Sequence, residues 1–215
     1  MLGQVKKAFQ TPATRLKWWE VVFLVVSAAA VLWGAILTLQ QQQLAQRMVR
    51  LHVIANSDSA GDQTLKLMVR DAVLTRVSDW MAGVENPKEA EQVLAERLTE
   101  LEAVGAKVVW QAGYSYPVKV QLETTHFPTK YYDGFALPAG DYRALRVVIG
   151  AGEGENWWCV VFPTLCVAPA SEWEATAVSG GMNDSEVALM AGESEGYILK
   201  FKCLEWLDWL KERLR

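Results

Sequence analysis

The longest apolar run of the chain lies near its N-terminus, from Val21 to Leu39, and contains no charged residue. These 19 residues approach the length of about 20 that crosses the hydrocarbon core of a bilayer as a helix. A helix of this length on the surface of a globular domain would show a polar face, and this segment has none. The pattern predicts a membrane-spanning or signal helix, followed by a short polar spacer over Gln40–Gln43.

A strand and a long helix are predicted next. Leu51–Ala55 is rich in strand-forming residues and is followed by turn formers. Apolar side chains then recur every three or four residues from Ala60 to Met81. Ser59 stands three residues before Asp62, which is the spacing of a helix N-cap. The pattern therefore predicts a strand, a capped turn and a helix of about six turns.

A second helix precedes a group of strands. Asn86-Pro87 places a proline in the first helical turn, and the apolar stripe that follows reaches Gly105, where we expect the helix to stop. Beyond it, short runs of β-branched and aromatic residues are separated by Gly and Pro. We predict that these runs form a mainly antiparallel sheet, with strands at Lys107–Trp110, Val118–Leu122, Tyr142–Ile149 and Trp157–Phe162.

The C-terminal part of the chain has a different composition. Residues 168–196 hold six acidic side chains, four Gly and no Lys or Arg, which predicts a solvated loop or linker. Tyr197–Arg215 starts with strand-like residues and continues as an amphipathic helix. We expect this helix to dock on the domain's own core, and a role at a membrane surface or with a partner is the alternative.

These elements predict an α+β protein with an N-terminal signal or transmembrane helix. One domain follows, with a mainly antiparallel sheet, two helices after the first strand and a C-terminal amphipathic helix. A chain of 215 residues, 51% of them apolar, is long enough for one domain with an appendage. The predicted divisions are a basic cytoplasmic segment with signal helix and spacer (1–43), an exported domain (44–167), an acidic linker (168–196) and the docking segment (197–215).

The distribution of charge gives the predicted orientation. Residues 1–40 hold four basic side chains against one acidic, whereas the remainder holds 17 basic and 24 acidic side chains. Basic residues before an apolar run stay in the cytoplasm, so the residues after it are exported. The acidic remainder has no basic stripe, which argues against a nucleic acid as the partner.

Whether the apolar segment is cleaved is left open by its sequence. Ala28 and Ala30 have the small-x-small pattern of a signal cleavage site. The apolar run continues from Val31 to Leu39, however, which is longer than a cleavable signal needs. We therefore favour an uncleaved anchor, with release after Ala30 as the alternative.

The sequence offers few groups for catalysis or metal binding. The chain contains two histidines, His52 and His126, and neither has a second His or Cys at ligand spacing. Asn56–Asp62 resembles the start of a calcium loop, but Ala60 and Leu67 stand where oxygen ligands are needed. A strand-to-helix turn with capping residues explains this segment better. We predict no catalytic residue set, no metal and no cofactor.

The three cysteines lie in the part that we expect to be exported, where disulfides persist. Cys159 and Cys166 flank Phe162-Pro163, a predicted reversal of the chain, so a local bridge between them is one option. Cys203 would then be a buried thiol on the C-terminal helix. Because the number of cysteines is odd, other pairings stay open.

Several separated runs of this sequence occur together, in one order, in a known family. They are Leu51–Ser59, Asp62-Gln63, Leu65–Leu67, Val69–Val73, Tyr116–Val120, Phe127–Lys130, Leu137–Gly140 with Tyr142, Ala144–Gly150, and Asn156–Pro163 with Leu165-Cys166. With these runs the chain resembles the stage II sporulation protein R family of endospore-forming bacteria. The resemblance covers about residues 48–167.

The resemblance implies a signalling protein made in the forespore and exported into the space between the two sporulation membranes. There it would activate a membrane-embedded aspartic protease of the mother cell, which removes the pro-sequence of sigma factor E. The family implies no catalytic residue set. Its motif includes Cys159 and Cys166, which favours a disulfide between them.

Three functions compete at this point. The first is a non-enzymatic signal that binds the protease, the second is an exported cell-wall or peptide hydrolase that uses Asp58 or Cys159, and the third is an anchored structural protein. Neighbouring residues on a strand point to opposite faces, so one indole of Trp157-Trp158 is a candidate interface anchor. The candidate partner-binding residues are Asn56, Ser57, Asp58, Asp62, Lys66, Arg70, Trp157 and Trp158.

Overall fold

The computed structural model describes residues 17–192 and Arg213. The chain divides into two compact units, Met1–Thr38 and Leu39–Arg215. In chain order the elements are α1 (Trp18–Ala45), β1 (Val49–Ile54), α2 (Ala60–Met81), α3 (Pro87–Ala95), α4 (Leu98–Gln111), β2 (Val118–Phe127), β3 (Lys130–Tyr131), β4 (Ala136–Leu137), β5 (Gly140–Ile149), β6 (Asn156–Phe162), α5 (Trp173–Ser179) and α6 (Asp184–Ala191).

Helix α1 contains the predicted apolar segment. It has 28 residues and is, among the described helices, the one long and apolar enough to cross a membrane. Many of its large apolar side chains are exposed, as at Phe23, Val31 and Trp33. So much apolar surface is unfavourable in water and is stable when lipid covers it. The helix therefore fits a signal anchor or a transmembrane segment.

The main sheet has four strands in the order β2-β5-β1-β6. β1 pairs with β5 in parallel, whereas the pairs β1–β6 and β2–β5 are antiparallel. β3 and β4 form a separate two-stranded ribbon. The predicted α+β class with a mainly antiparallel sheet is confirmed. The order also shows that β1 lies between β5 and β6, so these consecutive strands do not pair with each other.

One face of the sheet packs against helices α2, α3 and α4. Alternate residues of β1, namely Val49, Leu51 and Val53, point to this face and are fully buried. On α2, the residues that cover them recur at helical spacing. They are Leu65, Val69, Val73 and Val77. The apolar face of β1, which repeats every two residues, packs against the apolar face of α2, which repeats about every 3.6 residues, and together they form the larger core.

The other face of the sheet packs against the end of α1 and against α5 and α6. Leu44 and Ala45 of α1 are buried there, together with Tyr142 of β5 and Trp173 of α5. The side chain of Gln41 also donates a hydrogen bond to the carbonyl of Ala139. The predicted spacer residues thus belong to the second compact unit, which begins at Leu39 rather than at residue 44.

The region after Asn86 differs from the prediction. Two helices replace the single one, because the chain leaves the helical region at Arg97 (φ −122°, ψ 14°). Gly105 does not end a helix but lies inside α4, where a Cβ would approach a Val118 methyl to 2.8 Å. The predicted strand Lys107–Trp110 is wrong, since these residues are helical. Close packing of α4 on β2 at Gly105 overrides the strand propensity of this short run.

The acidic stretch is not a simple loop either. Within residues 168–192, α5 and α6 bury Trp173, Ala177 and Met190 against the second face of the sheet. Asn183 and Glu186 form a capping box at the start of α6. Acidic residues in first helical turns are stabilised by the helix dipole, so here they promote helices rather than a solvated chain. Apart from Arg213, which is helical, the predicted docking segment and Cys203 lie outside the described residues.

Candidate functional site

The turn between β1 and α2 holds three of the predicted partner-binding residues in an internal network. Ser59 caps α2 by accepting a hydrogen bond from the Asp62 N–H at 3.2 Å. The buried Asp62 carboxylate accepts hydrogen bonds from Asn56 Nδ2 at 2.8 Å and from Ser57 Oγ at 2.5 Å. These hydrogen bonds lower the pKa of Asp62, and the bond from Asn56 has the largest effect. Asn56, Ser57 and Asp62 thus stabilise the turn through hydrogen bonds to one another.

The loop between β5 and β6 fastens the same turn. Asn56 Oδ1 accepts the Ala151 N–H at 2.9 Å, and Asp58 Oδ1 accepts the Glu155 N–H at 2.7 Å. At Gly154 the two segments touch so closely that a Cβ would overlap the Ser57 carbonyl. The loop therefore fixes where β6 begins relative to the start of α2.

Lys66 and Arg70, one helical turn apart on α2, both face the start of β6. Lys66 is buried, and its Nζ donates to the Glu155 carbonyl at 2.9 Å and to Gln63 Oε1 at 2.6 Å. Burial lowers the pKa of Lys66. The Arg70 guanidinium lies 4.2 Å from the centre of the Trp157 ring. The fold thereby brings Lys66 and Arg70 of one predicted patch next to Trp157 of the other.

The two tryptophans point to opposite faces of the sheet. Trp157 retains 37% of its accessible surface beside Arg70. Trp158 is half-buried on the other face, where its ring stacks on His52 at 3.8 Å and meets Phe127 edge-on at 4.6 Å. Trp157 is therefore the indole that is available to a partner, and Trp158 packs within the domain.

Two polar residues of β1 lie beneath Trp158. Arg50 is fully buried, donates from Nη2 to the Tyr132 hydroxyl at 2.7 Å and lies 4.0 Å from the centre of the Phe127 ring. Its Nε and Nη1 have no hydrogen-bond partner among the described residues. His52 Nε2 lies 2.7 Å from Asn156 Oδ1, and burial lowers its pKa. Sequence reasoning missed this pair, although two polar residues at a spacing of two in an apolar strand are a usable signal.

Two cavities that share Trp157 as a lining residue are here together called the α2–β6 groove. Its wider part, a cavity of about 570 Å³, lies between the first turns of α2, strand β3 and the start of β6. Its narrower part, about 440 Å³, continues along α2 toward the cysteines, and Trp157 lines both parts. The residues that line the wider part but were not among the candidate partner-binding residues are Gln63, Thr64, Leu67, Lys130, Tyr131, Tyr132, Glu155 and Asn156. The tyrosine pair could have been noticed by the same reasoning as the tryptophan pair.

Cys159 and Cys166 are joined as a disulfide, with their Cα atoms 6.1 Å apart. The bridge closes the loop that contains the cis peptide bond between Phe162 and Pro163. Both cysteines line the narrower part of the groove. The bridge therefore fixes the end of the groove that lies farther from the start of α2.

The groove is chemically suited to recognition. It offers aromatic faces, an amide and ammonium groups within a cleft of the size that ligand sites have. Within residues 17–192 and at Arg213, no three His, Cys, Asp or Glu side chains gather as a metal site. The histidine nearest to the groove, His52, is held by Asn156 and stacks on Trp158, so its role there is to position the wall.

The chain has relatives among known proteins. Residues 45–172 match the family model of stage II sporulation protein R. The chain is 34% identical over 167 residues to the stage II sporulation protein R of Bacillus subtilis (strain 168), covering 73% of this chain and 75% of that protein. No solved structure matches the chain. The matched residues include the whole α2–β6 groove, and the chain belongs to the stage II sporulation protein R family.

Proposed function

We propose that this protein is a non-enzymatic signal between the compartments of a sporulating cell. Its domain is exported from the forespore into the intermembrane space and activates a membrane-embedded aspartic protease, which processes the precursor of the mother-cell sigma factor E. Family membership, which gives the chain a role in sporulation, and the resemblance described above support this proposal. Helix α1 supports delivery across or into a membrane.

The observation that carries the proposal is the α2–β6 groove. It gathers aromatic and cationic groups that suit binding, and Trp157 is an exposed anchor of the kind that dominates protein interfaces. Activation without chemistry requires only that the signal bind the active conformation of the protease more tightly than the inactive one. A tenfold preference shifts that equilibrium tenfold, which corresponds to about 1.4 kcal/mol.

The test is to express the full chain with the protease and the sigma factor precursor in cells that do not sporulate. Shortening of the precursor, followed by immunoblotting, is the expected result when all three are present. Full processing at amounts of the chain well below those of the precursor would separate a signal from a structural protein. Lack of processing at any expression level, with the chain exported and folded, would reject direct activation.

A single substitution separates this proposal from a hydrolase that uses Asp58. Asp58 Oδ1 accepts the Glu155 N–H at 2.7 Å, and the amide oxygen of Asn can accept the same hydrogen bond. Asp58→Asn therefore keeps the turn but removes the carboxylate that a hydrolase would need. We expect precursor processing to be unchanged in this variant. Its complete loss in a correctly folded variant would favour the hydrolase.

A further inference from the structure

Strand β6 forms one edge of the sheet. It pairs with β1 on one side, and no strand of the described chain pairs with it on the other. The Val160 N–H points to that open side, since it donates to Cys166 Sγ at 2.8 Å. The Trp158 carbonyl points the same way, toward the Tyr132 hydroxyl at 3.4 Å. Because the N–H and C=O of one residue share a direction in an antiparallel strand, alternate residues of β6 present main-chain groups to the groove.

Open edges of this kind pair readily with another chain, so folded proteins usually cover or interrupt them. Here the disulfide loop covers the far end near Val160, and the near end from Asn156 to Trp158 opens into the wider cavity. An extended segment rises about 3.4 Å per residue, so roughly three residues would pair with the open edge from Asn156 to Trp158.

The walls beside this edge are fixed before any partner arrives. Tyr132 lines the cavity and is held from below by the buried Arg50, and Asn156 is held in the same way by His52. A site with fixed walls loses little conformational entropy on binding. The two buried polar residues thus act as positioning residues for the groove.

The charge of the wider cavity favours one kind of occupant. Lys66 of α2 and Lys130 of β3 line the wider cavity, and Glu155 is the one carboxylate among its described lining residues; in the narrower part Arg70 is accompanied by Asp71. The first turns of α2 form one wall, so the positive end of the helix dipole adds to this field. The local excess of positive charge contrasts with the 17 basic and 24 acidic residues after residue 40. A segment that carries a carboxylate is complementary to it.

We propose that the α2–β6 groove binds an extended acidic segment of the partner protein, which adds to β6 as a further strand. Main-chain hydrogen bonds to the edge of β6 supply affinity, as in other cases of strand addition. Trp157 and Tyr131 pack against side chains of the added strand, and a carboxylate of that strand reaches Lys130. This inference rests on the proposed function for the identity of the partner, the outward-facing part of the protease.

Photo-crosslinking tests which molecule occupies the groove. A photoreactive benzoylphenylalanine replaces Tyr131, which is 69% exposed in the cavity, or, as a matched control, Trp110, which is 77% exposed on α4. Each full-length variant is expressed with the protease, irradiated, and the crosslinked peptides are sequenced. We expect position 131 to capture a segment of the protease that contains Asp or Glu, and position 110 to capture none.

Three crosslinking results would overturn the proposal. They are capture of residues 193–212 of the same chain, capture of a second copy of this chain, and equal capture of the protease from positions 131 and 110. The first two assign the groove to other occupants. The third shows that contact is not specific to the groove.

Charge reversal tests the predicted chemistry. Lys130→Glu places a carboxylate in the groove, and Lys119→Glu makes the same change at an exposed position of β2, the opposite edge strand. Like charges at an interface weaken binding strongly, so we expect Lys130→Glu to raise the amount needed for half-maximal processing by about tenfold or more. Lys119→Glu should stay within about twofold of the native chain.

The two proposals fail in different ways. Normal processing by Lys130→Glu, together with absence of a crosslink from position 131, would reject the groove and leave protease activation intact. Crosslinking of the protease by the position 131 variant, together with a native chain that never promotes processing, would reject activation and leave binding in the groove intact.

Discussion

The guanidinium of Arg70 lies 4.2 Å from the centre of the Trp157 ring, so a cation on α2 covers an indole on the edge strand β6. The same guanidinium forms an ion pair with Asp71 at 2.6 Å. Cation–π contacts at exposed sites contribute about 0.5–1 kcal/mol and also fix the orientation of the ring. This contact therefore sets the position of the anchor that the groove offers.

Replacing Arg70 should clearly reduce activation of the protease and only slightly reduce the stability of the fold. Arg70→Ala removes the cation above Trp157, so we expect a loss of about 0.5–1 kcal/mol in the free energy of unfolding and a several-fold higher half-maximal concentration for precursor processing. Arg76→Ala, on the same helix but paired with Glu100, is the control and should leave processing unchanged. Equal effects of both substitutions on processing would show that Trp157 does not depend on Arg70.

Stability should depend on pH through His52. Burial lowers the pKa of His52, so the unfolded chain, with a value near 6.5, binds the proton more readily than the folded one. The stability that the neutral ring provides is complete above 6.5 and is lost as the pH falls from there through the lowered pKa of the folded state. Urea unfolding of the detergent-solubilised chain between about pH 8 and pH 5 measures this loss.

The control for this measurement uses two variants that both lack the other histidine, His126. In a His126→Gln background, His52 is the one histidine left, because the chain contains two. The further change His52→Gln should flatten the dependence of the unfolding free energy on pH between about pH 7 and pH 5. Equal slopes with and without His52 would contradict the prediction, whatever the absolute stabilities are.

Arg50 is expected to serve the groove at some cost to stability. It is fully buried, two of its nitrogens have no partner among the described residues, and a buried unpaired charge is unfavourable. Arg50→Met keeps the volume and removes the charge, so the free energy of unfolding should stay the same or rise by about 1–4 kcal/mol. Processing should fall, because Tyr132 loses the donor that holds it.

Two companion variants sharpen this prediction. Tyr132→Phe should reduce processing to a similar extent, because it removes the hydroxyl that Arg50 holds. Arg143 lies on the neighbouring strand β5, is half-exposed and forms an ion pair with Glu91. Arg143→Met should leave processing unchanged. A loss of more than about 2 kcal/mol in Arg50→Met would show instead that its position between aromatic rings stabilises the fold.

The end of α1 should stabilise the domain that follows the apolar segment. Leu44 is fully buried in the second core, whereas Leu39 is 58% exposed. Leu44→Ala should therefore lower the free energy of unfolding by about 2–5 kcal/mol, and Leu39→Ala by less than about 0.5 kcal/mol. Resistance of the domain to proteolysis measures the difference. Similar protease resistance in both variants would show that the core does not need the last turn of α1.

Local patterns were sufficient wherever one element decides its own structure. The apolar run before Leu39, the cap at Ser59 and the stripe of α2 were all predicted, because each depends on residues close together in sequence. Prediction failed where packing against residues far away in the sequence decides the local structure. Gly105 fits inside α4 because β2 passes close to it, and α5 and α6 form because their few apolar residues have a core to cover.

The candidate site shows the same division. Lys66, Arg70 and Trp157 were chosen from the sequence as two separate patches, and the fold brings them together. Asn56, Ser57 and Asp62 were chosen for their polar groups, but their hydrogen bonds turn inward. No local pattern distinguishes a polar group that binds a partner from one that holds a turn, since both need the same side chains.

The sequence by itself determined that this chain has an apolar helix that fits a signal anchor or a transmembrane segment, that its main domain mixes helices with a mainly antiparallel sheet, and that it resembles a family of sporulation proteins. The tertiary structure alone decided that β1 inserts between β5 and β6. This insertion leaves β6 at the edge of the sheet, beside α2, and so creates the groove. Strand order depends on contacts between residues far apart in sequence, and periodicity along the chain carries no information about it.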